Sequence, residues 1–222
     1  MHASIQKLNL INNKIKEIIL KKQLKTYPQI VAVSKTFSLD KITPLLDAGH
    51  SHFGENKIQE AENKWFELKS KNKNLQLHMI GKLQSNKVKK AVKIFDYIHT
   101  VDSVKIAEKI DKYEKELNKK IKTFVQVNVG EEFQKSGISP KNVNQFVNHC
   151  KNSLCLNIIG LMCLPPINDN PEKYFLHLNK LRNQTDLCHL SMGMSNDYQT
   201  AIKCGSTFLR IGSKILGERN TN

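Results

Sequence analysis

Apolar residues recur at helical spacing at the start of the chain. Ile5, Leu8, Ile11 and Ile15 follow one another every three or four residues, with lysines and asparagines between them. This spacing places one apolar stripe along the surface of a helix. We therefore predict an amphipathic helix at about residues 3–23.

After Pro28 the pattern changes to short β-branched runs that alternate with amphipathic segments. The predicted strands are Ile30–Ser34, Ser51–Gly54, Gln76–Ile80, Tyr97–Val101, Lys122–Val129, Leu156–Met162, Asp186–Ser191 and Thr207–Ile211. The helices predicted between them lie near residues 40–48, 56–69, 85–94, 103–118, 140–150, 171–184 and 196–204. Repeated strand–helix units favour parallel strands with right-handed crossovers, and eight such units favour closure into a (β/α)8 TIM barrel.

The number of strands decides the fold. Ser51–Gly54 is very short, and the loss of one strand would leave a doubly wound α/β sheet as the alternative. No linker or low-complexity tract interrupts the alternation. We therefore expect a single domain over residues 1–222, with the barrel at about residues 28–219.

Composition narrows the class of protein. Hydrophobic residues make up 39% and charged residues 25%, and no apolar run approaches a membrane span, so we expect a soluble protein without a membrane partner. The formal net charge of +15 makes a basic nucleic-acid-binding protein one alternative. Most of this charge is lysine dispersed along the chain, and aromatic residues, at 7%, offer few stacking platforms. We expect a solvated lysine coat and no specific nucleic-acid partner.

The cysteines and histidines indicate neither disulfides nor a metal. The cysteines are odd in number and contain no C-x-x-C pair, so they fit a reducing cytoplasm. They are Cys150, Cys155, Cys163, Cys188 and Cys204. The histidines, including His50 and His52, show no metal-ligand spacing, and the N-terminus lacks the features of an export signal. We expect a cytoplasmic protein without a metal site.

Lys35 is the first candidate for chemistry. In a barrel, functional groups project from the carboxyl ends of the strands, and Lys35 follows the first predicted strand directly. A solvated cap is the structural alternative in so lysine-rich a chain.

Small residues follow the last two predicted strands. Ser195 follows the seventh strand, and Gly212 and Ser213 follow the eighth. Helix starts and glycine turns at this place form the recurring phosphate site of barrels, although an N-cap and a tight turn are the simpler interpretations of each residue alone. A lysine opposite such a cup fits pyridoxal 5′-phosphate (PLP), with Arg210 facing the ring, and it also fits Schiff-base aldolases.

A set of motifs, in order, resembles the pyridoxal phosphate homeostasis protein family, which is related to the N-terminal barrel of alanine racemase. The match covers about residues 28–219. It comprises Val31-Ala32-Val33-Ser34-Lys35-Thr36, Phe53-Gly54-Glu55-Asn56 with Gln59-Glu60, His78-Met79-Ile80-Gly81 with Leu83-Gln84-Ser85-Asn86-Lys87, Lys135-Ser136-Gly137, Gly160-Leu161-Met162, Ser191-Met192-Gly193-Met194-Ser195, and Arg210-Ile211-Gly212 through Gly217-Glu218-Arg219.

The resemblance implies a PLP fold-type III barrel with the cofactor held as a Schiff base on Lys35. It implies that Arg210 meets the pyridine nitrogen and that Asn56 and His78 line the pocket. It also implies that the phosphate is held by Ser191 or Ser195 together with Gly212 and Ser213.

For function, the resemblance implies PLP supply and amino-acid balance, with PLP-dependent apoenzymes as candidate partners and a monomer or weak dimer as the state. A weak racemase-like enzyme is the alternative. Racemisation needs a base on each face of the substrate, and none of the five tyrosines offers an obvious second base. We also expect no added domain to supply one, because the chain ends soon after the barrel. An arginine at the ring nitrogen weakens the ring as an electron sink. We therefore expect no robust catalysis.

Overall fold

Eight parallel strands form a closed barrel, in which each strand pairs with the next one along the chain and the last pairs with the first. The computed structural model describes residues 1–218. The strands are β1 Gln29–Val33, β2 His52–Glu55, β3 Gln76–Met79, β4 Tyr97–Val101, β5 Lys122–Val127, β6 Ile158–Cys163, β7 His189–Ser191 and β8 Phe208–Ile211. The predicted barrel is confirmed, and the doubly wound alternative is wrong. Arg219, the last residue of the resemblance motifs, lies outside the described residues.

Helices connect the strands and cover the barrel. They are α1 Ala3–Lys22, α2 Leu39–Asp47, α3 Ile58–Lys71, α4 Val88–Ile94, α5 Val104–Glu116, α6 Val143–Asn148, α7 Pro171–Asn183, α8 Tyr198–Lys203 and α9 Ser213–Leu216. The predicted N-terminal helix is confirmed as α1. The helix predicted at 140–150 divides into a 3-10 turn at Pro140–Asn142, α6, and a π turn at His149–Ser153. No helix in residues 1–218 has the length and apolar character needed to cross a membrane.

Side chains along each strand point alternately outward and inward, and this separates two apolar layers. Outward residues such as Ala32 and Leu209 join the large core beneath the helices. Inward residues form a smaller cluster that fills the barrel: Val31, Tyr97, Phe124, Met162 and Phe208. Because period-2 alternation sends neighbouring residues to opposite faces, a strand-end residue inherits its direction from this pattern.

Helix α1 lies outside the barrel and packs on α8 and α9. Its stripe of Leu8, Ile11, Ile15 and Ile18 is buried there. Burial of one such side chain contributes about 1.5–3 kcal/mol. This burial therefore holds α1 against the two helices that follow β7 and β8.

Candidate functional site

A cavity of about 700 Å³ opens at the carboxyl ends of β1, β7 and β8. We call it the mouth cavity. Five of the predicted site residues line it, namely Lys35, Ser195, Arg210, Gly212 and Ser213. Residues that are far apart in sequence therefore meet at one opening, as the barrel topology requires.

The loop that carries Lys35 is held on both sides. Before it, the Ser34 amide donates to the Gly54 carbonyl at 3.0 Å. After it, the Thr36 amide donates to Glu60 Oε1 at 2.5 Å, and Thr36 has a φ of +69°, in the left-handed region. A non-glycine residue adopts that conformation only where surrounding contacts enforce it. These contacts fix the backbone from which the Lys35 side chain departs.

A buried ion pair beneath this loop provides part of that support. Glu55 Oε1 accepts from Lys64 Nζ at 2.9 Å and from Trp65 Nε1 at 2.9 Å. It also accepts from Ser34 Oγ at 2.8 Å, and Lys64 Nζ donates to the Ser34 carbonyl at 2.9 Å. Burial raises the pKa of Glu55, while Lys64 and the three hydrogen bonds oppose that rise. Lys64 therefore stabilises the charged form of this carboxylate next to the Lys35 loop.

The opposite wall is formed by the loop after β7 and the start of α9. Gly193 has a φ of +92°, and a Cβ there would meet the Ala201 Cβ at 2.5 Å, so this bend requires glycine. The Lys214 amide donates to Ser195 Oγ at 3.4 Å. Amides in the first turn of a helix have no intrahelical acceptor, and here they lie beside a serine hydroxyl on the cavity wall. Hydroxyl and amide donors grouped in this way suit a phosphate.

Arg210 forms the floor of the mouth cavity and is 4% exposed. Its Nη1 donates to Ser191 Oγ at 2.6 Å, and its Nη2 donates to the Cys163 carbonyl at 2.9 Å. Burial lowers the pKa of the guanidinium. Both acceptors are neutral, so neither contact balances the charge of the arginine. A buried cation with neutral partners at the base of a cavity suits an electron-rich ligand atom.

Three predicted site residues lie elsewhere. His78 was expected to line the pocket, but the structure places it inside the barrel at 0% exposure, because it occupies an inward position of β3. Ser191 is also 0% exposed, and its hydroxyl accepts from Arg210, which lines the cavity. Asn56 lines a neighbouring cavity of about 350 Å³, where Gly81 packs closely against its backbone.

Sequence reasoning missed several residues of this region. Lys135, which the motifs included without a defined role, lines the mouth cavity and donates to the Pro165 carbonyl at 3.4 Å. Lys64 and Trp65 were not singled out, although Lys64 stands one helical turn after Glu60. Within residues 1–218, no three His, Cys, Asp or Glu side chains group as metal ligands.

Three comparisons agree with this arrangement. The family model described as "Alanine racemase, N-terminal domain" matches residues 11–220. A pyridoxal phosphate homeostasis protein of Haemophilus influenzae is 36% identical over 225 residues, which cover 96% of this chain and 94% of that protein. The structure of PipY from Synechococcus elongatus with PLP bound matches with a TM-score of 0.79 at 34% identity, covering 93% of this chain and 100% of PipY. An alanine racemase of Clostridium difficile has a TM-score of 0.70 at 16% identity, covering 99% of this chain and 57% of the racemase, and supports the fold alone.

Proposed function

Since this chain belongs to the pyridoxal phosphate homeostasis proteins, within the family of the alanine racemase N-terminal domain, we propose that it binds PLP in the mouth cavity and acts in PLP homeostasis. The observation that carries the proposal is the convergence of Lys35, Ser195, Arg210 and Gly212 on one opening. PLP supplies an aldehyde, which condenses with an amine and releases water, together with a phosphate group.

We assign the aldehyde end to Lys35, which holds it as a Schiff base. The clamped backbone on either side of Lys35 supports this role, because a covalent anchor must present its amine from a fixed position. The buried Glu55–Lys64 pair lies beneath that backbone and keeps it in place.

We assign the ring nitrogen to Arg210. A guanidinium has only donors and stays charged, so it hydrogen-bonds to an unprotonated pyridine nitrogen and disfavours its protonation. An unprotonated ring is a weak electron sink. Storage and delivery of PLP therefore suit this site better than turnover of amino acids.

We assign the phosphate to Ser195, Ser213 and the Gly212 backbone. The serine hydroxyls and first-turn amides on that wall are donors, and a Cβ on Gly212 would already stand 3.4 Å from the Val33 Cβ. A side chain larger than that of glycine would narrow the approach to the cup.

The remaining parts of the proposal follow from a carrier role. The protein delivers PLP to PLP-dependent apoenzymes in the cytoplasm, as a monomer or weak dimer, without robust catalysis of its own. The apolar side chains that rim the mouth, such as Leu164, Ile167 and Met194, are partly or fully exposed and support contact with another protein there.

An absorbance titration with PLP tests the proposal. We expect wild type to develop a protein-bound visible band that Lys35→Ala lacks. Lys135→Ala is the matched control, because Lys135 lines the same cavity, and it should keep the band. An unchanged band in Lys35→Ala, or no band in wild type, would overturn the assignment.

A further inference from the structure

Three histidines form a column inside the barrel that the proposed function leaves unexplained. His52 Nδ1 lies 2.9 Å from His78 Nε2, and His78 Nδ1 lies 2.9 Å from His99 Nε2. His99 Nδ1 lies 2.8 Å from Ser191 Oγ, the atom that also accepts from Arg210. His52 begins β2, so the column runs from the amino end of the barrel to the guanidinium at the mouth cavity.

The direction of every hydrogen bond in the column follows from Arg210. Because a guanidinium only donates, Ser191 Oγ must be the acceptor of that bond. Within residues 1–218, the only recorded hydrogen-bond neighbours of the Ser191 hydroxyl are Arg210 and His99, so its proton points to His99 Nδ1. His99 then carries its own proton on Nε2 and donates to His78. By the same rule, His78 donates from Nε2 to His52.

The surroundings keep the rings neutral and aligned. His78 stacks on Tyr97 with ring centroids 4.2 Å apart, and His99 stacks on Phe124 at 4.4 Å. Both histidines are 0% exposed. Burial lowers the pKa of each well below the usual value, and the Arg210 charge lowers the pKa of His99 further.

Such a column has one fully paired arrangement. Reversing any one bond would leave two donors or two acceptors facing each other in the buried interior, where an unpaired polar group is unfavourable. The column therefore presents a single acceptor, Ser191 Oγ, to Nη1 of Arg210. The Cys163 carbonyl accepts from Nη2 of the same group, and two fixed acceptors define the plane of a guanidinium.

Resting on the proposed function, we propose that His52, His78 and His99 are positioning residues, which hold the Arg210 guanidinium in one plane toward the bound cofactor through Ser191. The coupling is reciprocal: Arg210 sets the tautomers of the column, and the column sets the orientation of Arg210.

The first test needs no cofactor. Nitrogen-15 NMR of histidine-labelled protein without PLP reports which ring nitrogen carries the proton. We expect His78 and His99 of wild type in the Nε2–H form, and mixed tautomers in Arg210→Met. An Nδ1–H or doubly protonated His99 in wild type, or the same tautomers in both proteins, would overturn the proposal.

The second test follows the pH titration of the bound cofactor's absorbance in folded, PLP-loaded variants. His99→Leu removes the acceptor for the Ser191 hydroxyl, so Arg210 is held less firmly against the pyridine nitrogen. Because Arg210 then disfavours protonation of that nitrogen less strongly, we expect the pKa of the pyridine nitrogen to rise by at least about 0.5 units. His99→Gln keeps an acceptor and a donor and should restore the wild-type curve. His177→Leu, on α7 outside the column, is the control and should leave the curve unchanged.

The outcomes separate the two proposals. A lower melting temperature in His99→Leu with an unshifted titration would mean a merely structural role and would overturn the positioning role. If His99→Leu does not fold, Ser191→Ala takes its place in the comparison, because it also breaks the connection between His99 and Arg210. A wild type without a PLP band would overturn the proposed function and the cofactor part of this inference, while the tautomer comparison would still decide whether Arg210 and the column are coupled.

Discussion

Removing Lys64 should destabilise the protein through the carboxylate that it leaves behind. The Lys64 side chain is 9% exposed and Glu55 is 0% exposed, so Lys64→Met strands a charge in the core beside the Lys35 loop. Loss of one partner from such a pair costs about 3–5 kcal/mol. Ser34 and Trp65 still donate to Glu55, which favours the lower end of that range.

The pH dependence of this loss has a definite sign. Burial raises the folded-state pKa of Glu55, and removal of Lys64 raises it further. A carboxyl group with a raised folded-state pKa binds more protons when folded than when unfolded. The free-energy cost of burying it therefore falls as pH decreases through that pKa. The deficit of Lys64→Met relative to wild type should therefore be largest at neutral pH and should shrink as the pH is lowered.

Urea unfolding of four proteins provides the assay. Lys64→Met/Glu55→Gln removes the stranded charge and should recover to within about 1 kcal/mol of wild type. Lys14→Met removes an exposed ion pair with Glu17 and should cost less than about 1 kcal/mol. A Lys64→Met loss no larger than that of Lys14→Met, or one that grows as pH falls, would refute the reasoning.

Three further predictions concern the cofactor site and the column. Ser195→Ala and Ser213→Ala should each weaken PLP binding by about 1.5–3 kcal/mol, with little effect on pyridoxal, when both ligands are titrated by absorbance; an equal loss for both ligands would indicate a structural role. Because His78 and His99 have folded-state pKa values well below the unfolded value of 6.5, the stability they contribute is present above that value and lost as pH falls. Urea unfolding should show a decrease of at least about 2 kcal/mol between pH 6.5 and 5.5, and a flat profile would contradict the buried neutral column. Chiral assays with common amino acids should detect racemisation far below the roughly 1 s⁻¹ typical of enzymes, and turnover at that level would overturn the carrier role.

Local pattern was sufficient to predict the barrel. Period-2 and helical spacing are visible in the sequence, and they located even His52–Glu55, the short strand on which the choice of fold depended. The boundary of β7 was less accurate. Asp186 was predicted to begin that strand, but the Leu187 amide donates to the Thr185 carbonyl at 2.7 Å, so the chain still turns before His189.

The site was predictable where strand ends alone determine position. Lys35 and Ser213 follow strands directly, so topology brings them to the same opening. The Glu55–Lys64 pair was not predictable in this way. Its place beside Ser34 depends on the register in which Val33 pairs with Gly54, and no local pattern encodes that register.

His78 shows why a motif residue need not line a pocket. The resemblance implied that His78 lines the cofactor pocket. Alternation along β3 instead turns its ring into the barrel, where His52 and His99 occupy inward positions on neighbouring strands. A contact among three strands arises only when the barrel closes.

Borohydride reduction followed by peptide mass mapping tests the central claim most directly. Reduction converts a Schiff base into a stable amine and so marks the lysine that held the cofactor. PLP-loaded protein should carry the reduced pyridoxyl-phosphate group on Lys35, and Lys35→Ala should carry none. An adduct confined to Lys135 or to another lysine, or no adduct in wild type, would contradict the assignment of this cavity.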